Sequence, residues 1–284
     1  MNAIELKNIS YTYSRGTPFE RLALDDVSVS FKAGIITGLM GHTGSGKSTL
    51  VRLFNGLEKP ENGTVSIFGE DIWQKPKEIR KYRFKVGLVF QYPEYQLFEE
   101  TVKEDISYGP KNMGLDNSEI DRRVRDAAEL CRIDSALLEK SPFDLSGGEK
   151  RRVAIAGIMA MQPDILVLDE PAAGLDPRGR EEIFDGIRDY KSSKNATVII
   201  VSHSMEDMAK YSDEIAVMNN AKIYMHDTKE AVFKRAHELC EIGLDVPPIA
   251  YFSKELADLG LPVSESFYSV EACVDALDTL FNAN

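Results

Sequence analysis

Gly41-His42-Thr43-Gly44-Ser45-Gly46-Lys47-Ser48-Thr49 follows the apolar run Ile35-Ile36-Thr37-Gly38-Leu39-Met40 and precedes the helix-like Leu50-Val51-Arg52-Leu53-Phe54. A glycine-rich turn ending in Lys-Ser, set between a strand and a helix, is the pattern of a phosphate-binding loop. Gly41, Gly44 and Gly46 carry no Cβ, so the backbone can curl its N–H groups toward phosphate oxygens. The following helix adds unpaired N–H groups and the positive end of its dipole. In such loops the lysine reaches the β- and γ-phosphates and the hydroxyl ligates Mg²⁺, roles that fall here to Lys47 and Ser48. A plain strand-to-helix turn would not need every one of these positions filled.

The chain has 284 residues, enough for one large α/β domain and an appendage. Its net charge of −12 opposes a nucleic-acid groove, which needs a basic face, so no nucleic-acid partner is expected. Residues 231–284 carry nine acidic and three basic side chains, half of that net charge, in what reads as a solvated surface. No stretch approaches the ~20 apolar residues of a membrane span. Met1-Asn2-Ala3 opens into a strand-like Ile4-Glu5-Leu6 instead of a signal peptide. Cys131, Cys240 and Cys273 are far apart and make no metal or redox spacing, as for reduced thiols. A soluble cytoplasmic protein, able to dock on a membrane protein, is expected.

Along the chain, Ile4, Leu6 and Ile9, then Val27, Val29 and Phe31, alternate as strands do, separated by a polar loop from Ser14 to Arg21. Short strands are predicted at Gly63–Gly69 and Val86–Phe90, and mainly helix over 102–161, with apolar spacing at Ile120, Val124, Ala127, Ala128 and Cys131. Ile165–Asp169 and Thr197–Val201 are continuous apolar runs, expected of parallel strands covered on both faces. A helix over about 178–192 joins them into a βαβ unit. Beyond Lys229, Pro247-Pro248 can start a helix. Ile249, Phe252, Leu256 and Leu259 form one helical stripe and Val270, Val274, Leu277 and Phe281 another. Two burials stand open for them: packing on the parent domain, or a subunit interface.

Asp169 ends a buried strand, where a carboxylate holds Mg²⁺ directly or through water, and Glu170 beside it is placed to orient and deprotonate a water. His203 ends the next strand, where a satisfied polar residue is the bland alternative, and its position beside the strand carrying Glu170 favours a γ-phosphate contact. His42 takes a variable loop position, where a surface role is preferred, although the whole cradle counts as nucleotide-binding. Ser146-Gly147-Gly148-Glu149 fits a capping box. Two glycines in a first helical turn carry ~1 kcal/mol each in propensity, which a cap does not require. Bare N–H groups at a helix start suit an anion, and a phosphate explains the glycines better.

Together, Gly41–Thr49, Gln91, Leu145–Glu149, Ile165–Glu170, Gly174-Leu175-Asp176 and His203 resemble the ATPase subunit of an ATP-binding cassette (ABC) transporter, over about residues 3–228. The resemblance implies an α/β P-loop NTPase fold of ABC type. Its parts are a mixed sheet core, an antiparallel N-terminal β part, an inserted helical subdomain at about 102–161 and a helical extension at 229–284. It implies a head-to-tail dimer holding two ATP molecules. Ser146, Gly147 and Gly148 then contact the γ-phosphate on the partner, Gln91 serves Mg²⁺ and the water, and Asp176 lies in a loop crossing the interface. Glu170, His203 and Gln91 become the catalytic set, and Ser48, Gln91 and Asp169 the metal set. Tyr13 matches the aromatic that stacks on adenine, worth ~1–3 kcal/mol by analogy with base stacking, with Tyr11 as the fallback.

Phe90-Gln91-Tyr92-Pro93-Glu94-Tyr95-Gln96-Leu97-Phe98-Glu99-Glu100-Thr101-Val102 and Gly109-Pro110-Lys111-Asn112 are similar to energy-coupling factor (ECF) transporter ATPases. Those drive uptake of vitamins or transition-metal ions. Glu170–Pro177 resembles the second of their two paired ATPases, and Ile242–Pro247 with its extension is also ECF-like. The implied partners are a related ATPase, a transmembrane coupling subunit and small substrate-binding membrane subunits, at the cytoplasmic face of the cell membrane. Ala172 departs from the usual Thr, and Glu149 from the commoner Gln. Leu97 and Phe98 are either buried under the helical subdomain or set at a groove for the membrane subunit. Rival readings are a conventional ABC transporter ATPase, a soluble non-transport ABC protein and a silent regulatory cassette.

Overall fold

Alternating apolar residues build the first layer of the chain, whose computed structural model describes residues 1–261 and 267–282. β1 (Asn2–Tyr13) and β2 (Arg21–Lys32) pair antiparallel, with Leu6 opposite Val29 and Tyr13 opposite Arg21. β3 (Ile36–Met40) runs into the glycine-rich loop and α1 (Lys47–Phe54). β4 (Asn62–Ile67) and β5 (Glu70–Asp71) return to the first sheet, giving the order β2-β1-β4-β5. α2 (Ile79–Lys85) leads to β6 (Val86–Val89), followed by α3 (Val102–Asn112), α4 (Asn117–Leu130) and α5 (Gly147–Met159). Then come β7 (Ile165–Asp169), α6 (Pro177–Lys194), β8 (Thr197–Val201) and α7 (Met205–Tyr211). β9 (Glu214–Asn219) and β10 (Lys222–Thr228) form a hairpin that the strand pattern above does not mark. α8 (Lys229–Phe233), α9 (Ala236–Glu241), α10 (Pro248–Asp258) and α11 (Val270–Asn282) end the described chain.

The second sheet has the order β10-β9-β3-β8-β7-β6, parallel throughout except for β10. Every residue of β7 and β8 is buried, because both faces are covered. Val167 and Ile199 face α1 and the first sheet, in a core with Leu50, Phe54, Leu6 and Phe31. Their neighbours Leu166, Leu168, Val198 and Ile200 point the other way, onto Ile106, Val124, Val153 and Phe184 of the helical layer. Within that layer Ile120, Val124, Ala127, Ala128 and Cys131 are buried as their spacing implies. Burial pushes the Cys131 thiol up to about 12. All three cysteines are free.

Register sets the functional edge. Val89 pairs with Leu168, Leu168 with Ile200, and both Leu39 and Asp169 with Val201, so four parallel strands end flush. In open α/β sheets ligands bind outside those carboxyl ends.

The C-terminal stripes are covered only in part by this chain. Ser253 is the buried residue of α10, while Phe252 and Leu259 are exposed. In α11 Cys273 is buried, but Val270, Val274 and Phe281 are exposed. Phe233 packs on Tyr268 and Phe267 N–H donates to Ser253 Oγ at 3.3 Å, while half of the α10 stripe and most of the α11 stripe stay exposed in this chain. Residues 262–266 and 283–284 of the extension lie outside the described residues.

Gly186 is where α6 meets the end of α4: a Cβ there would stand 2.3 Å from the Leu130 carbonyl oxygen. Backbone cannot rotate aside as a side chain can. Alanine would gain ~1 kcal/mol of helix propensity, but overpacking costs ~1–3 kcal/mol. Gly186→Ala is therefore expected to lower the midpoint of denaturant unfolding; an unchanged or higher midpoint would show that the contact gives way.

Candidate active site

The glycine-rich loop lies wedged between the two sheets. A Cβ on Gly41 would stand 2.3 Å from the Met218 carbonyl oxygen of β9, and one on Gly46 2.5 Å from that of Ala23 in β2. Both residues have positive φ, +148° and +109°, a region that side chains rarely enter. Gly46 is also the N-cap of α1 and supplies no capping side chain, so the first N–H groups of that helix remain for a ligand.

Before this loop opens a cavity of about 250 Å³. Thr43, Gly44, Gly46, Lys47, Ser48 and Thr49 line it from the loop, Gln91, Asp169, Glu170 and His203 from the strand ends, and Tyr13 from β1. Gly41, His42 and Ser45 sit behind that lining. His42 has its ring nitrogens 3.0 Å from Asn219 Oδ1 and from its neighbour's carbonyl, so it braces the loop. Tyr11 is not in the lining: it meets Tyr13 edge-on at 4.9 Å and donates to Glu58 at 2.7 Å, leaving Tyr13 at the cavity. Ser146, Gly147 and Gly148 are not brought to the cavity within this chain. Ser146 and Gly148 border a separate depression with Gly174, Leu175 and Asp176, at the N-terminal end of α5.

Two lining residues escape the sequence reading, Arg21 and Ala23. They sit there because β2 pairs with β1 in the register that sets Arg21 opposite Tyr13. Arg21 reaches over the loop to within 3.4 Å of the Gly44 carbonyl. The exposed cation at a phosphate cradle is its chemical signal, but only the pairing register locates it.

The polar atoms fit a metal–phosphate ligand. Ser48 Oγ donates to Asp169 Oδ2 at 3.2 Å, which sets a hydroxyl and a carboxylate oxygen side by side, a hard donor pair suited to Mg²⁺. Among the described residues no group of three or more His, Cys, Asp or Glu side chains could hold a metal ion, so phosphate or water oxygens would complete the shell. Lys47 Nζ rests on the carbonyls of Gly41 (2.6 Å) and His42 (3.0 Å). Burial lowers its pKa, opposed by the Asp169 and Glu170 carboxyls.

Glu170 is the most perturbed group in the cavity. Burial, then the neighbouring Asp169, pushes its carboxyl up to about 7, against the pull of the His203 backbone N–H and of Lys47. One carboxylate oxygen lies 3.3 Å from His203 Nε2 yet makes no aligned hydrogen bond. The residue also sits at φ +52°, with its N–H tied to the Val201 carbonyl at 2.9 Å. A carboxyl near 7 in the lining of the cavity suits a group that takes a proton from water at neutral pH. Burial lowers the His203 pKa, which keeps its imidazole neutral near neutral pH.

The chain has recognisable relatives among known proteins. The ABC transporter profile matches residues 24–173. The energy-coupling factor transporter ATP-binding protein EcfA2 of Clostridium tetani is 46% identical over 99% of this chain and 98% of its own. The protein of the same name from Acetivibrio thermocellus is 51% identical over 90% of each. Among solved structures, cbiO1 of Clostridium perfringens, described as part of the ABC transporter complex cbiONQ, superposes with a TM-score of 0.74 at 36% identity. That match covers 85% of this chain and 94% of cbiO1. The ATP-binding cassette MJ0796, dimeric in a post-hydrolysis state with ADP and Pi, gives a TM-score of 0.72 at 27% identity, covering 80% and 98%.

The raised Glu170 carboxyl has a stability consequence. Its folded pKa of about 7 lies above the ordinary 4.5, so its stabilising contribution is complete below about 4.5 and is lost as pH rises through 7. Glu170→Gln removes the charge that the fold disfavours. In nucleotide-free, magnesium-free protein the variant is expected to unfold at a higher temperature than wild type at pH 8, with the gap closing toward pH 5. A gap independent of pH would show that Glu170 ionises freely.

Proposed function

Because this chain belongs to the ABC transporter family, and within it to the ATP-binding proteins of energy-coupling factor transporters, we propose that it is one half of a paired ATPase seated on the cytoplasmic face of a membrane translocator. It binds and hydrolyses ATP to power an ECF-type importer. The observation that carries the reading is the meeting of Lys47, Ser48, Gln91, Asp169, Glu170 and His203 around one cavity at the carboxyl ends of parallel strands. Lys47 exchanges two loop carbonyls for the β- and γ-phosphates, and Tyr13 stacks on adenine. Ser48, Asp169 and Gln91 hold Mg²⁺, which when bound neutralises charge on the phosphate oxygens. Glu170 orients the water and takes its proton, while His203 holds the γ-phosphate by a hydrogen bond. The rest is positioning for in-line transfer to water.

The second half of each site comes from the other subunit, a related ATPase. Supporting this, Ser146 already completes a capping box with Glu149, and a Cβ on Gly147 would meet nothing within 4 Å. The glycine serves no contact of its own fold, which suits a surface kept bare for the partner's nucleotide. In this reading residues 1–228 are the ATPase domain, with the helical subdomain at about 102–161. The open stripes of α10 and α11 make 229–284 a dimerisation element. Small membrane subunits choose the cargo, vitamins or transition-metal ions.

Docking of the membrane coupling subunit falls to an apolar groove of about 330 Å³ between the loop after Gln91 and α3 and α5. Leu97 is half-buried against the core, while Phe98 is 58% exposed and stands edge-on to Tyr108 at 4.9 Å. Both side chains line the groove, and Phe98, the more exposed of the two, offers the anchor.

Glu170→Gln is expected to retain ATP binding and lose ~10²–10⁴-fold in turnover, whereas Lys47→Ala should weaken binding itself. Tagged Glu170→Gln protein, recovered from detergent-solubilised native membranes with MgATP, should bring a distinct ATPase, one large membrane protein and several small ones. Near-normal turnover would remove Glu170 from its role, and an ordinary permease pair would move the chain to a conventional transporter. Phe98→Ser should cut transport in the reconstituted complex roughly 30-fold, an aromatic hot spot of about 2 kcal/mol, with basal hydrolysis intact. Unchanged transport would dismiss the groove.

A further inference from the structure

We propose that Arg151 is a positioning residue that mechanically joins the loop after Gln91 to the loop after Glu170, so that nucleotide occupancy and engagement of the membrane-facing groove are felt by one another. The inference rests on the function proposed above. Arg151 lies in the second turn of α5, only 3% exposed. Its planar guanidinium serves two segments at once. Nε and Nη2 donate to the two carboxylate oxygens of Glu94, at 3.0 and 2.7 Å, and Nη1 donates to the carbonyl of Ala173. The same group lies 5.9 Å from the centre of the Tyr92 ring.

Both segments carry a residue of the cavity lining at one end, Glu170 or Gln91. Ala173 N–H donates to the Glu170 carbonyl at 3.3 Å, closing a turn that starts at Glu170, and Arg151 grips the far side of that turn. On the other segment, Tyr92 follows Gln91, and Pro93, Leu97 and Phe98 line the groove. Each loop holds a left-handed non-glycine residue beside its functional side chain, Glu170 at φ +52° and Tyr92 at φ +55°. Such conformations persist where the surroundings over-determine them, and Arg151 is a brace common to both.

Stability alone does not account for this arrangement. A buried ion pair is often matched or bettered by an apolar pair of the same volume, so the retained charges point to geometry. Arginine presents donors in a rigid fork, whereas lysine is a compact point charge on a flexible stem. A lysine in this place would keep its attraction to Glu94 without holding the carboxylate and the Ala173 carbonyl together. Arg151→Lys thus separates the coupling role from plain electrostatic support.

The test is deuterium exchange on the full chain, in a Glu170→Gln background that retains MgATP. With Arg151 intact, adding MgATP should slow exchange in residues 170–176 and also in 91–98. In Arg151→Lys protection at 170–176 should persist while that at 91–98 falls about tenfold, within the usual range of coupling between sites. Equal protection of both segments in the variant overturns the proposal, as does absent protection of 91–98 with Arg151 intact. Parallel loss at both segments would leave Arg151 merely structural. Should Arg151→Lys fold poorly, the double variant Glu94→Met, Arg151→Met leaves no unpaired charge and is read in the same way. In the reconstituted transporter Arg151→Lys should keep KM for ATP and deliver less solute per ATP hydrolysed. A wild-type chain that drives no transport would sink the function proposed above and leave the exchange experiment to decide Arg151.

Discussion

Two backbone carbonyls, one from each sheet, press on the phosphate loop. Met218 of β9 closes on Gly41 and Ala23 of β2 closes on Gly46, each at a distance that leaves no room for a Cβ. That double clamp joins the antiparallel layer to the parallel one. It also fixes where the loop stops and α1 begins, and so where the unpaired N–H groups of the helix emerge. The flush strand ends then have only one place to deliver Gln91, Asp169, Glu170 and His203. The cavity results from close backbone approach more than from any side-chain contact within it.

The electrostatics of the cavity are arranged against the nucleotide-free protein. Lys47, Asp169, Glu170 and His203 all have pKa values displaced toward their neutral forms, with burial as the leading cause in each. A lysine resting on two carbonyls and a carboxyl near 7 are held in place at some expense in stability. Displacements of this kind in a cleft mark functional sites. Here they coincide with the residues that the loop and strand-end patterns single out independently.

Much of the site is legible along the chain because its parts are local. The phosphate loop, the Asp169-Glu170 strand end, the Ser146–Glu149 cap and the apolar spacing of α4 each declare themselves within a few residues. What is hidden depends on distance. Arg21 and Ala23 reach the cavity only through the β1–β2 register, and Arg151 finds Glu94 at a separation of 57 residues and Ala173 at 22. β9 is a short buried apolar run, Ile215 to Met218, and lacks a period that would set strand apart from helix. The stripes of α10 and α11 show a different limit. Periodicity reveals which face of a helix is apolar, while coverage of that face belongs to the tertiary structure.

Gly147 carries a consequence for how variation in this chain would be read. An alanine there would find open space and gain roughly 1 kcal/mol of helix propensity. Any screen that scores the solubility or thermal resistance of the lone subunit would rank it an improvement. In the paired arrangement proposed above, selection on that basis would drift toward a sturdier protomer with an obstructed meeting face. On that proposal the fitness of this position belongs to the assembled pair and is invisible to measurements on one copy.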